Sequence, residues 1–134
     1  MQKSDSMAIC PIFSDDSVGD FIKKKLAIYN INTDYCNSIS GSYKNSLALA
    51  ENKTHKPKVV IYRNNAADLQ ISKELIKTIN FKFKSGLIIT GTALSSEPSR
   101  GSVFAAVKLA KKNKCPVILD SVSYTHLTLP TIGC

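Results

Sequence analysis

The chain has 134 residues, enough for one ordinary domain that buries roughly two-thirds of its unfolded surface. Apolar residues make up 43% and charged residues 21%, which excludes a disordered polyelectrolyte, and no apolar run approaches the length that crosses a bilayer. The net charge of +8 comes from 16 lysines and only two arginines, Arg63 and Arg100. The lysines are scattered and not interleaved with aromatics, so they read as solvated faces with some attraction for anionic metabolites rather than as a nucleic-acid surface.

In chain order, Met7 to Phe13 is a short apolar run broken by Pro11, which suits an edge strand. It is too short for a secretion signal, so a cytoplasmic protein is expected. Ser14-Asp15-Asp16-Ser17 suits a helix start, and Val18, Phe21, Ile22, Leu26 and Tyr29 follow at helical spacing with lysines mostly opposite, predicting a helix over 17–29. Asn32-Thr33-Asp34 reads as a turn. Tyr43 to Asn52 fits both a helical and an alternating period, whereas Lys58 to Arg63 is β-branched and aromatic, a strand signal. The polar connection between them predicts a hairpin, making the first run a strand too. Residues 64–68 form a loop, and 72–80 a modest amphipathic helix on Leu75, Ile76 and Ile79.

The most informative stretch is 86–120. Leu87 to Thr90 is an apolar run without alternation, expected to be a strand buried on both faces. Gly91 turns the chain, Ser96 or Ser99 could cap a helix with Pro98 in its first turn, and Val103, Ala106, Val107 and Ala110 give it one apolar stripe. Pro116 ends the helix and Val117 to Leu119 reads as a second buried strand closing at Asp120. This unit predicts parallel strands joined by a right-handed crossover, with chemistry at their carboxyl ends. The fold class is α/β, a parallel sheet flanked by helices with a small β hairpin appended.

Motifs of familiar chemistry are absent from the sequence. Six glycines form neither a dinucleotide fingerprint nor a P-loop, and no G-x-S-x-G elbow is present. Cys10, Cys36, Cys115 and Cys134 form no C-x-x-C pair, and His55 and His126 are isolated, which argues for structural thiols in a reducing compartment rather than a metal site. Two residues are left. Arg63 leaves a strand end and is either a surface arginine or a planar fork for a carboxylate or phosphate. Asp120 is either a turn residue or part of a site at the sheet edge. Asp15 and Asp16 read as helix-start charges.

Several segments together resemble the PfkB (ribokinase-like) carbohydrate kinases. They are Thr90-Gly91-Thr92-Ala93-Leu94-Ser95, Glu97-Pro98-Ser99-Arg100 with Val103-Phe104, and Tyr62-Arg63-Asn64-Asn65-Ala66-Ala67-Asp68-Leu69. Ser14-Asp15-Asp16 with Gly19-Asp20-Phe21-Ile22, similar to the family's helix after its D-x-x-G-x-x-I signal, and Ser46-Leu47-Ala48 with Glu51 and Lys53 agree in the same order. Within that family the segments are most similar to the branch that phosphorylates 5-dehydro-2-deoxygluconate in inositol breakdown, over about 13–120. The resemblance implies a partial ribokinase-like fold, ATP-dependent phosphoryl transfer to a primary hydroxyl of a small sugar-acid substrate, and magnesium. It implies that Arg63 holds the substrate carboxylate, that Gly91 and Asp120 line the substrate cleft, and that the hairpin is a lid that also carries homodimer contacts.

The sequence departs from the family at its chemistry. The opening aspartate strand with its Gly-Gly motif and the G-A-G-D segment, which supplies the anion hole and the base aspartate, do not occur in it. No catalytic residue is therefore assigned, and an internal fragment of the kinase domain over 1–120, inactive alone and with uncovered apolar faces, is expected. Residues 121–134 contain no Lys, Arg, Asp or Glu and resemble translated sequencing-adapter read-through, a tail foreign to the family. A 2-keto-3-deoxygluconate kinase or another sugar kinase of the family is the alternative within the fold. A non-catalytic basic α/β module binding anionic metabolites or nucleic acid is the alternative outside it.

Overall fold

The computed structural model describes residues 7–53, 55 and 58–121. His126, Cys134 and the segment read as a tail, beyond Ser121, lie outside the described residues, as do positions 54, 56 and 57 of the hairpin connection.

The first unit is β1 (Ile12–Ser14), α1 (Ser17–Ile28) and β2 (Asn37–Ile39), with β1 and β2 parallel and Phe13 opposite Ser38. The Met7–Phe13 run thus contributes its last two residues to a buried strand, and Ala8 adds only an isolated bridge to Asn32. Asp16 caps α1 by accepting the N–H groups of Val18 and Gly19, each at 3.1 Å. The expected apolar face of this helix is rotated. Gly19 is its buried residue and Ile22 and Leu26 are half-buried, whereas Val18, Phe21 and Tyr29 are exposed. The cause is the close approach of Gly19 to the end of β1, which turns Phe21 outward, where Lys25 lies over its ring.

The hairpin forms as expected from β3 (Leu47–Ala50) and β4 (Val59–Tyr62), antiparallel with Leu49 opposite Val60. All eight of its residues are exposed. A 3-10 turn over Ala67–Leu69 follows and packs on β1, then α2 (Lys73–Thr78), capped by Ser72.

The last unit is β5 (Leu87–Thr90), α3 (Ser99–Lys112) and β6 (Val117–Asp120), with β5 and β6 parallel and Thr90 opposite Asp120. On α3, Ser99, Ser102, Val103, Ala106 and Ala110 are buried, the spacing of one helical face. Ala106 and Ala110 join Ile76, Phe81 and Cys115 in the core, and the small residues let α2 lie close. The two buried hydroxyls are satisfied, Ser102 donating to the carbonyl of Ile71 and Ser99 to that of Ala93, both at 2.7 Å.

Three expectations are corrected here. Neither Ser96 nor Ser99 caps α3; the Oε2 of Glu97 accepts the N–H of Gly101 at 3.0 Å, because Ser99 is buried and committed to Ala93. β5 and β6 are not covered on both faces: Ile89 is buried, but Ile88 is 66% exposed and Ile118 57%. The parallel strands also form two separate pairs, β1–β2 and β5–β6, rather than one continuous sheet. The architecture is α/β, two parallel strand–helix–strand units with a projecting hairpin between them in sequence.

Candidate functional site

Both arginines of the chain converge on one turn, the 3-10 segment Gly91–Leu94 that follows β5 and its successor Ser95. Arg63, one residue past the end of β4, donates from Nη1 to the hydroxyl of Ser95 at 3.1 Å and from Nη2 to the carbonyl of Thr92 at 3.2 Å. Its Nη2 also donates to the Oδ2 of Asp68, closing an ion pair. Arg100, in the first turn of α3, donates from Nε to the carbonyl of Leu94 at 2.9 Å and from Nη2 to that of Ser95 at 3.0 Å. Each arginine uses two nitrogens of one rigid plane, a spread of donors that the single nitrogen of a lysine does not offer. The turn is thus fixed from both sides, by the hairpin root and by the helix that follows.

The hairpin root and this turn border an open cleft of about 400 Å³. Leu47, Ala48 and Ile61 of the hairpin form apolar wall, and Ser46, Arg63, Asp68 and Thr92 supply the polar groups. Asp68 ties these groups together: its Oδ1 accepts the hydroxyl of Ser46 at 2.6 Å while Oδ2 holds Arg63. Arg63 keeps only about a fifth of its side chain exposed (21%). An apolar wall with a few converging polar groups is the usual form of a small-molecule site.

Of the three residues singled out from the sequence, Gly91 and Asp120 meet directly. A Cβ on Gly91 would lie 3.5 Å from the carbonyl oxygen of Asp120 and 3.2 Å from that of Ser121, so a side chain here would crowd the end of β6. Arg63 reaches Thr92, the next residue in the turn. The signal that singled out Arg63 was its scarcity and its place at a strand end. Asp68, Thr92 and Ser95 lie in the segments that resemble the family but were not singled out as site residues, and nothing in the sequence pairs position 63 with positions 29 and 32 residues away.

A second polar cluster stands at the carboxyl end of β1. Ser14, fully buried, donates its hydroxyl to Asp16 at 2.7 Å and accepts the side-chain amide of Asn45 at 2.5 Å. Lys44 reaches Asp16 at 3.1 Å. The Ser14 hydroxyl, the Gly19 N–H and Lys44 together hold the Asp16 carboxyl down at about 2. Every strong acceptor of this aspartate is engaged in capping α1 and anchoring the chain before β3, which is the helix-start role expected of it.

Among the described residues no group of three His, Cys, Asp or Glu side chains could hold a metal ion, and no helix is long and apolar enough to cross a membrane.

Comparison with known proteins agrees with this architecture. The chain is 40% identical over 115 residues to the 5-dehydro-2-deoxygluconokinase of Listeria innocua, covering 84% of this chain and 35% of that relative. It therefore spans about a third of the length of the curated relatives it matches. A fructokinase from Xylella fastidiosa has the same fold, with a TM-score of 0.79 at 19% identity over 89% of this chain and 37% of that one. The same enzyme with bound ATP gives 0.77 at 19% identity, over 87% and 37%. The model of the family described as pfkB family carbohydrate kinase matches residues 6–132. With its two parallel strand–helix–strand units, its projecting hairpin and this match along nearly its whole length, the chain belongs to the pfkB family of carbohydrate kinases.

Proposed function

We propose that this chain forms part of the substrate cleft of an ATP-dependent kinase that phosphorylates a primary hydroxyl of the sugar acid 5-dehydro-2-deoxy-D-gluconate. The observation that carries this reading is Arg63, a guanidinium held at the root of the hairpin beside an apolar wall. A planar fork in such a place is suited to a carboxylate. The name of the Listeria relative supports a sugar acid as its source. In this reading Arg63 binds the carboxylate, and the Gly91 turn and Asp120 line the adjoining part of the cleft. The hairpin covers the sugar and excludes water, which would otherwise compete for the phosphoryl group. The exposed strands of the hairpin pair with those of a second copy.

Phosphoryl transfer in such a kinase draws on ATP and magnesium. The G-A-G-D segment does not occur in this sequence, so no residue of the chain is assigned to either group. The part of its residues is to bind and orient the sugar acid and to keep water out, and by itself the chain is expected not to turn ATP over.

The test is a chemical-shift titration of the chain with 5-dehydro-2-deoxygluconate, followed on the Arg63 guanidinium and the Gly91 amide. Saturable shifts are expected, lost in Arg63→Gln and weaker with 2-keto-3-deoxygluconate. Equal binding by Arg63→Gln would overturn the role given to the arginine. Phosphorylation of the sugar acid by the purified chain with ATP and magnesium would overturn its inactivity.

A further inference from the structure

A guanidinium offers two edges for a two-point contact with a carboxylate, the end-on edge of Nη1 with Nη2 and the side-on edge of Nε with Nη2. Both include Nη2. In Arg63 the two hydrogens of Nη2 face two acceptors, the carboxylate of Asp68 and the carbonyl of Thr92. A ligand carboxylate therefore gains a two-point contact only if one of these withdraws.

The two acceptors differ in how firmly they are held and in charge. The Thr92 carbonyl is backbone, and it also accepts the hydroxyl of Ser95 at 2.9 Å and the N–H of Ser95 at 3.3 Å, so it is fixed by the turn. Asp68 is a side chain on a short 3-10 turn, 37% exposed, with a second partner in the hydroxyl of Ser46 at 2.6 Å. An arriving carboxylate repels Asp68 and leaves the neutral carbonyl in place. Of the two acceptors, Asp68 is the one whose side chain can rotate away.

We infer that Asp68 is an internal competitor for Arg63, a carboxylate that occupies the fork and is displaced by the carboxylate of the ligand. This rests on the reading of Arg63 as the carboxylate-binding residue. The exchange also reaches the hairpin. Ser46 immediately precedes β3 and Arg63 immediately follows β4, so Asp68 links the two roots of the hairpin through its two oxygens. Displacing it from Arg63 unlinks those roots when an acidic ligand binds, and a neutral polyol of the same size leaves the link intact. Asp68 thus restrains the affinity of the Arg63 fork for anionic ligands and couples their binding to the hairpin, while neutral ligands are unaffected.

Calorimetric titration of the full chain with D-gluconate, and with D-glucitol as its neutral counterpart, separates this from a positioning role. Competition expects Asp68→Asn to bind D-gluconate roughly twofold to fivefold more tightly than the parent, the range set by a partly exposed ion pair. D-glucitol binding should not change, and Asp68→Glu, which keeps the competing anion, should stay within about twofold of the parent. Weaker binding of D-gluconate by Asp68→Asn would overturn the inference, since it would mean that Asp68 orients Arg63 for the ligand. Should Asp68→Asn lose its dispersed amide spectrum, Asp68→Ser carries the same expectation. Adding Arg63→Gln to Asp68→Asn should abolish D-gluconate binding; unchanged affinity in that double variant would instead remove the reading of Arg63 itself.

Discussion

The carbonyl oxygen of Ser14, the last residue of β1, lies 1.9 Å from where a Cβ on Gly19 would stand. This is backbone against backbone, so no rotamer relieves it. Helix α1 can start with only two residues between it and the strand because residue 19 has no side chain. The D-x-x-G spacing then has a physical meaning: Asp16 caps the helix through the N–H of Gly19, and Gly19 lets the capped turn press against β1. Gly19→Ala is expected to force α1 off the strand and cost about 1–3 kcal/mol, the usual range for overpacking. The urea midpoint measures this. Asp20→Ala, at an exposed position one residue on, serves as the control and should shift it little.

Asp16 sets a second expectation, in acid. The Ser14 hydroxyl, the Gly19 N–H and Lys44 hold its carboxyl at about 2, below the ~3.9 of an unfolded aspartate. Between these values the unfolded chain binds more protons than the folded one. The contribution of Asp16 is therefore complete above about pH 4 and is lost as the pH falls toward 2. Asp16→Asn keeps a side chain able to cap the helix but has no carboxyl to titrate. Its thermal midpoint should be less dependent on pH between 2 and 4 than that of the parent, and parallel curves would remove Asp16 from the acid transition.

What the sequence made legible follows from the kind of signal each part carries. β5, α3 and β6 were readable almost to the residue, because apolar runs are bounded there by Gly91, Pro98 and Pro116. β2 was not, since Asn37-Ser38-Ile39 has neither alternation nor length, and its pairing comes entirely from β1. The buried face of α1 is not legible in the sequence, because the residue that approaches the strand is a glycine, which carries no hydrophobic weight. At the site, Arg63 stood out by scarcity. That it shares one turn with Arg100, and a carboxylate with Ser46, depends on contacts between segments far apart in the chain.

Cys36 yields a prediction about reactivity. Its thiol is pushed up to about 11, first by burial and then by nearby Cys10 and Asp34, and it lies 3.6 Å from the carbonyl of Ile9. Burial raises Cys10 as well. Since the thiolate is the nucleophile, both should alkylate with iodoacetamide at pH 7.5 far more slowly than an unhindered thiol of pKa about 8.5. The Cys36 rate should keep rising above pH 9. Mass spectrometry of tryptic peptides distinguishes the two, and rapid modification of Cys36 at pH 7.5 would contradict its partial burial beside Ile9.

The hairpin separates stability from association. Leu49 and Val60 face each other across β3 and β4, yet they are 53% and 51% exposed. Little apolar area is removed from water within one chain, so replacing both by threonine, itself β-branched and suited to a strand, should change folding stability by no more than about 0.5 kcal/mol. In a homodimer through the hairpin the same side chains would be buried, at roughly 25 cal/mol per Å² of apolar surface. Leu49→Thr with Val60→Thr is thus expected to leave the urea midpoint nearly unchanged while shifting sedimentation toward the monomer. Equal association of parent and double variant would place the dimer contact elsewhere, whereas a large loss of stability would show that these residues are covered within one chain.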